Sequence, residues 1–357
     1  MRKVFESHLH YERPNSLNDS VEAFNRAFDL TNAVKYLFLS LPCYGKLDLT
    51  QNVKGLYFKK VYSPNAYCFA GLEHNLDYSK KEMEDSFLKQ AEEYFNAGFD
   101  GMKMLEGKIS ERRKYPFKLS DNIFDKYYSF LEENAIPLTI HNGEPSEFWD
   151  KSKLSAYAIE QGWYCGEKDL KKHEVHDDIM AVLKKHPKLH LTLAHFGFMG
   201  DAPEYAKRFL EDYEFTMFDM TPAGEEYFHM MERFDFWADF FVKHSNRIKY
   251  GTDTYNWEKF PSQKEWDFNI TYRPFFIQSW ASGNGSFQYA GKEIKCAGFS
   301  NDVLDKIFFE NAYKEYGEPK PINTDYVLNK VNELKIKLAN SDFDMLDLET
   351  IEKEFSK

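Results

Sequence analysis

The chain has 357 residues, 43% hydrophobic and 29% charged, which suits one large globular unit with a sizeable core. A net charge of −12 disfavours nucleic acid and anionic membranes as partners, since both attract basic surfaces. No apolar stretch approaches the roughly 18 residues of a membrane helix, and the four cysteines (Cys43, Cys68, Cys165, Cys296) form no CxxC pair, so the expectation is a reduced, cytoplasmic protein.

Taken in chain order, eight short segments read as buried strands: 4–10, 33–41, 65–72, 99–105, 136–141, 188–195, 214–220 and 247–253. Amphipathic helical patterns separate most of them. Residues 79–97 open on the capping box Ser79-x-x-Glu82 and stop at Gly98. Residues 120–134, 174–186, 203–213 and 236–245 each lie just before a strand. Strands alternating with helices imply a parallel sheet covered by helices, and eight units in about 250 residues match a (β/α)8 TIM barrel. A doubly wound open sheet is the alternative, though no GxGxxG follows any strand. Residues 1–320 read as one barrel domain. Within it, 256–299 forms a long aromatic connection after strand eight, with a small hairpin around Gly291, and residues 321–357 read as a charged helical tail.

The strand ends carry the chemistry. Residues i and i+2 of a strand share a face, so Glu6, His8 and His10 of "VFESHLH" point the same way. Two imidazoles so spaced can reach one ion. Strand five ends at His141, strand six at His195, and strand eight ends "KYGTD" at Asp253, where Gly251 permits close approach. In a barrel these ends open onto one mouth, so four histidines and an aspartate converge there.

That ordered set (HxH, His141, His195, then "GTD") resembles the amidohydrolase superfamily. More narrowly it resembles the amidohydrolase-related branch that includes aminocarboxymuconate-semialdehyde decarboxylase and γ-resorcylate decarboxylase. "IFFENAYKEYG" (307–317) resembles that branch's closing helix, so the likeness runs from about residue 4 to 317. Glu6 departs from the pattern, standing where an aspartate is usual two residues before HxH.

The resemblance implies one divalent metal, zinc or manganese, held by His8, His10, His141 and Asp253, with His195 as general acid/base. Asp253 would take a proton from water activated by the ion. Lys103, on strand four, is open to three roles: bridging a second metal, pairing with Glu6, or holding an anionic substrate. Glu106 is read as a substrate contact or a solvated loop residue. Trp257 belongs with the aromatic connection, read as a lid that supplies part of the substrate pocket or as plain packing. Asp219 and Thr221 lie near the mouth as supporting groups. His173 and His176 read as solvated, and His186 and His190 as structural, at the opposite end of the barrel.

The leading expectation is hydrolysis of an amide, lactone or similar carbonyl bond in a small molecule. The alternative is non-oxidative decarboxylation of an aromatic or unsaturated acid. A catalytically dead binding barrel has no physical need for the full histidine set. By analogy with other barrels, a homodimer is the expected assembly.

Overall fold

The computed structural model describes residues 2–11, 16–44, 49–221, 224–255, 263–289 and 291–357. Trp257 and Phe260 of the aromatic connection lie outside the described residues.

Strand β1 (Val4–His10) is buried along its whole length, as a parallel strand covered on both faces must be. It is followed by β2 (Ala33–Leu39), β3 (Ala66–Gly71), β4 (Gly101–Gly107), β5 (Leu138–Asn142), β6 (Leu191–Leu193), β7 (Thr216–Asp219), β8 (Ile248–Lys249) and β9 (Thr254–Tyr255). All pairings among them are parallel, in the order β8-β7-β6-β5-β4-β3-β2-β1-β9. The ring closes through strand eight, which is broken in two. β8 pairs with β7, β9 pairs with β1 (Leu9↔Thr254), and Asp253 N donates to His8 O across the break (3.0 Å). This is the expected (β/α)8 barrel, with the break falling on the "GTD" stretch.

The intervening helices have the signals that specify them. Helix α1 spans Leu17–Thr31, α2 Gln51–Val61 and α3 Lys80–Ala97. The capping box forms between Ser79 and Glu82, and Gly98 ends α3 at φ 96°. The 120–134 pattern resolves into a single 3-10 turn and α4 (Asp125–Glu133). Then come α5 (Lys172–Lys185), α6 (Pro203–Asp212) and α7 (Phe234–Lys243). His173 is exposed as expected. His176 is not: it lies buried on the inner face of α5 with Val175, Ile179 and Leu183, and its Nε2 meets the Gly197 carbonyl at 3.2 Å.

The connection after strand eight also departs from expectation, because it is largely regular. It contains α8 (Gln263–Ser282) and the antiparallel hairpin β10 (Ser286–Tyr289) and β11 (Lys292–Lys295) that turns at Gly291. Phe276, Ile277, Trp280 and Ala281 recur at helical spacing and are fully buried, at roughly 1.5–3 kcal/mol for each large side chain. Pro274 inside the helix obscures that pattern in the sequence.

The barrel floor is sealed by the helical segment 301–316. Asn311 donates to the carbonyls of Ser245 (2.6 Å) and Ile248 (2.7 Å), which is why an amide sits in this apolar stretch. Lys249, wholly buried, reaches Thr192, Glu315 and the Tyr316 hydroxyl. The tail forms α9 (Thr324–Lys337) and α10 (Asp342–Phe355), which pack on α2 with a Lys54–Asp347 ion pair at 2.7 Å. Among the described residues no helix is long and apolar enough to cross a membrane.

Candidate active site

β1 does not run true. Its register with β2 shifts between Glu6 and Leu9, leaving backbone N–H groups without ladder partners. Glu6 supplies what is missing: its Oε1 accepts from His8 N (3.1 Å) and from Thr252 N of the broken strand (2.9 Å). Burial pushes its carboxyl up to about 8. Of the three roles open to Lys103, pairing with Glu6 is not seen among the described residues, since Glu6 is engaged by backbone.

The irregularity turns His8 and His10 into the mouth side by side. His8 Nδ1 meets Asp219 Oδ2 at 2.8 Å, and His10 Nδ1 meets the Leu39 carbonyl at 2.9 Å. Both partners only accept, so both rings carry their proton on Nδ1 and present a lone pair at Nε2. Those two Nε2 atoms face each other at 3.0 Å, with Asp253 Oδ1 at 3.5 and 3.6 Å. Three acceptors thus converge with no proton among them. A triangle of these sides has its corners about 2.0 Å from one point, the length of a zinc–nitrogen or zinc–oxygen bond at about 2.0–2.2 Å. The donor set fits a divalent cation.

His195 and Asp253 both stand in left-handed backbone, at φ 54° and 55°. For non-glycine residues that conformation costs roughly 1–2 kcal/mol each and persists only where the surroundings impose it. Around His195 they do. Its N–H is held by Asp219 Oδ1 (2.8 Å) and Thr221 Oγ1 (3.0 Å), while Phe196 stacks on Phe218 with ring centres 4.5 Å apart. The Thr221 hydroxyl donates to Asp219 (2.6 Å), so it must accept from His195 Nδ1 (3.0 Å). His195 therefore also presents Nε2 unprotonated. One ring nitrogen of His195 and ligand atoms of His8 and Asp253 lie within 4.8 Å of one another. His141 is outside that set. Its ring centre is 5.0 Å from that of His195, and its Nε2 meets the Gly143 carbonyl at 3.0 Å.

The electrostatics keep these rings neutral. Burial, with the Lys103 charge, holds His8 well below its ordinary value and His10 down at about 4; burial lowers His195 to about 4 and also lowers His141. Neutral imidazole is the form that binds metal. Lys103 is itself 1% exposed, pushed down to about 8 by burial, while Asp219 and Asp253 favour its charge. Glu106 is buried rather than solvated, its carboxylate taken up by His74 Nε2 (2.6 Å) and Leu105 N (2.7 Å). Gly251 is required by packing: a Cβ there would lie 2.9 Å from His8 Cβ and 3.0 Å from Thr221 Cγ2.

One participant was not legible in the sequence. Arg273 of α8 reaches back to the broken strand, where its Nη1 donates to Asp253 Oδ2 (3.0 Å), the Asp253 carbonyl and the Thr252 carbonyl (3.3 Å). The helical spacing of the residues just beyond it was the available signal.

The amidohydrolase family profile matches residues 81–317, two thirds of the chain. The chain belongs to the amidohydrolase family. Among solved structures, 4-oxalomesaconate hydratase from Rhodopseudomonas palustris superposes with a TM-score of 0.53 at 15% identity, covering 94% of this chain and 99% of that one. The 2,6-dihydroxybenzoate decarboxylase from Rhizobium gives 0.52 at 12%, covering 88% and 98%, and IDCase from Metarhizium anisopliae 0.50 at 10%, covering 88% and 97%. At these identities the likeness is one of fold. No curated protein matches the chain by sequence. The matched residues of this amidohydrolase include His141, His195 and Asp253, whereas His8 and His10 precede them. The chain is an enzyme of a metal-dependent family.

Proposed function

We propose that this amidohydrolase is a mononuclear zinc enzyme that hydrolyses a carbonyl bond, an amide or lactone, in a small molecule bearing a carboxylate. The observation that carries the reading is the convergence of His8 Nε2, His10 Nε2 and Asp253 Oδ1, three lone pairs with no proton to share. These residues hold the ion, with His141 and His195 on the same rim. When bound, the ion supplies Lewis acidity, polarising a carbonyl and acidifying a water. Manganese, which carboxylate ligands suit, is the alternative ion we propose.

The chain's own residues do the rest. Asp219 fixes the His8 tautomer, and Thr221 fixes that of His195. His195 Nε2 accepts the proton of the attacking water and returns it to the leaving nitrogen or oxygen as its bond to the carbonyl carbon breaks. Lys103, buried among the imidazoles, supplies the positive charge that holds the substrate carboxylate.

That same buried cation supports a second reading. A carboxylate held beside the ion could itself leave as carbon dioxide, the carbon that loses it taking a proton that His195 Nε2 has first drawn from water, whose hydroxide is left behind. A panel of lactone and amide carboxylates, and of hydroxylated benzoates, incubated with zinc-loaded protein separates the two. Acid release without carbon dioxide establishes hydrolysis; carbon dioxide release establishes decarboxylation. Neither product from any member, with zinc bound, sinks both.

A further inference from the structure

We infer that Arg273 is the positioning residue for Asp253, so that α8 is part of the metal site's support rather than only a cover for the mouth. The inference rests on the metal-centre reading above. Asp253 needs such support on three counts. Its backbone is left-handed, it sits in the four-residue gap between β8 and β9 that Ser7, His8 and the Glu6 carboxyl of β1 bridge, and its two carboxylate oxygens must be told apart. Arg273 Nη1 addresses all three at once. It holds the carbonyls of Thr252 and Asp253, which fixes the turn, and it holds Oδ2, which leaves Oδ1 facing His8 and His10. A carboxylate so divided offers one oxygen to an ion and cannot swing to chelate with both. The arm that delivers the guanidinium is rigid because the next turns of α8, through Phe276, Ile277 and Trp280, are locked in the core. Partners of this kind, which orient a ligand without touching the ion, typically change metal affinity by about 10–100-fold when removed.

The test measures the dissociation constant for Zn²⁺ alone, by chelator competition, on the full chain as wild type, Arg273→Met and Arg273→Lys. Methionine keeps the apolar stem and the helix but removes every donor. Arg273→Met should bind Zn²⁺ roughly 10–100-fold more weakly, while the metal-free melting temperature moves by a few degrees at most. Arg273→Lys, a point charge without the planar fork, should fall between the two. The visible spectrum of the Co²⁺-loaded variant should shift, which a purely structural role for Arg273 would not cause. Weakening of less than about threefold in Arg273→Met, with wild type binding tightly, overturns the inference and leaves the metal site standing. If wild type itself binds no ion, the two fall together. Should Arg273→Met fail to fold, Arg273→Lys decides on the same threefold criterion.

Discussion

Replacing Asp219 with asparagine should weaken metal binding while leaving the fold almost untouched. Asp219 Oδ1 already accepts from His195 N, Thr221 N and the Thr221 hydroxyl, at 2.8, 3.2 and 2.6 Å. In Asp219→Asn the amide oxygen must therefore stay on that side, and the NH2 group must face His8 Nδ1, now 2.8 Å from Oδ2. His8 can only answer by moving its proton to Nε2. There it would donate to His10 Nε2, 3.0 Å away, closing the triangle that an ion would occupy. The new imidazole–imidazole bond offsets much of the lost charged hydrogen bond, so metal-free stability should change by about 1 kcal/mol or less. Zinc affinity should fall by about 10–100-fold, roughly 1.4–2.8 kcal/mol. Chelator competition gives the affinity, and thermal melting of the stripped protein gives the stability. Undiminished zinc affinity in Asp219→Asn would refute the tautomer argument on which the site is built.

Other outcomes follow from the same geometry. His195→Asn should keep its metal while turnover drops by roughly 10²–10⁴-fold, as for a lost general acid/base; loss of the ion equal to that in His8→Asn would move His195 among the ligands. Gly251→Ala drives a methyl against His8 and Thr221 and should cost about 1–3 kcal/mol of stability, read by thermal melting, together with metal affinity. Glu226 is 1% exposed, its Oε2 has no hydrogen-bond partner among the described residues, and burial pushes it up to about 7 despite Lys172 and His229 nearby. Because its folded value is raised, its favourable contribution is complete below pH 4.5 and lost as pH climbs through 7. Glu226→Gln should thus melt with wild type at pH 4.5 and exceed it at pH 8 by up to about 3 kcal/mol. Parallel pH profiles would show that Glu226 does not titrate in that range.

The barrel was legible because the strands are short apolar runs, four of them ended by a histidine or an aspartate, and because signals such as the Ser79–Glu82 box and Gly98 are local. The positions of His8, His10 and Asp253 follow from strand ends opening onto one mouth. What the pattern could not give were departures from regularity. Strand six stops at Leu193 because His195 to Phe198 turn left-handed, and strand eight splits at "YGTD". No propensity encodes either, since contacts more than twenty residues away impose them. His176 was misread from its charged neighbours, though its spacing from Ile179, Met180 and Leu183 put it on the apolar face. Arg273 was missed for a related reason, Pro274 disguising the helix that aims it.

The central claim is that His8, His10 and Asp253 hold a divalent cation. Crystals of zinc-loaded protein measured at the zinc absorption edge test it most directly. An anomalous peak is expected about 2.0–2.2 Å from His8 Nε2, His10 Nε2 and Asp253 Oδ1. A crystal with no peak there, and with His8 and His10 hydrogen-bonded directly to each other, would contradict it.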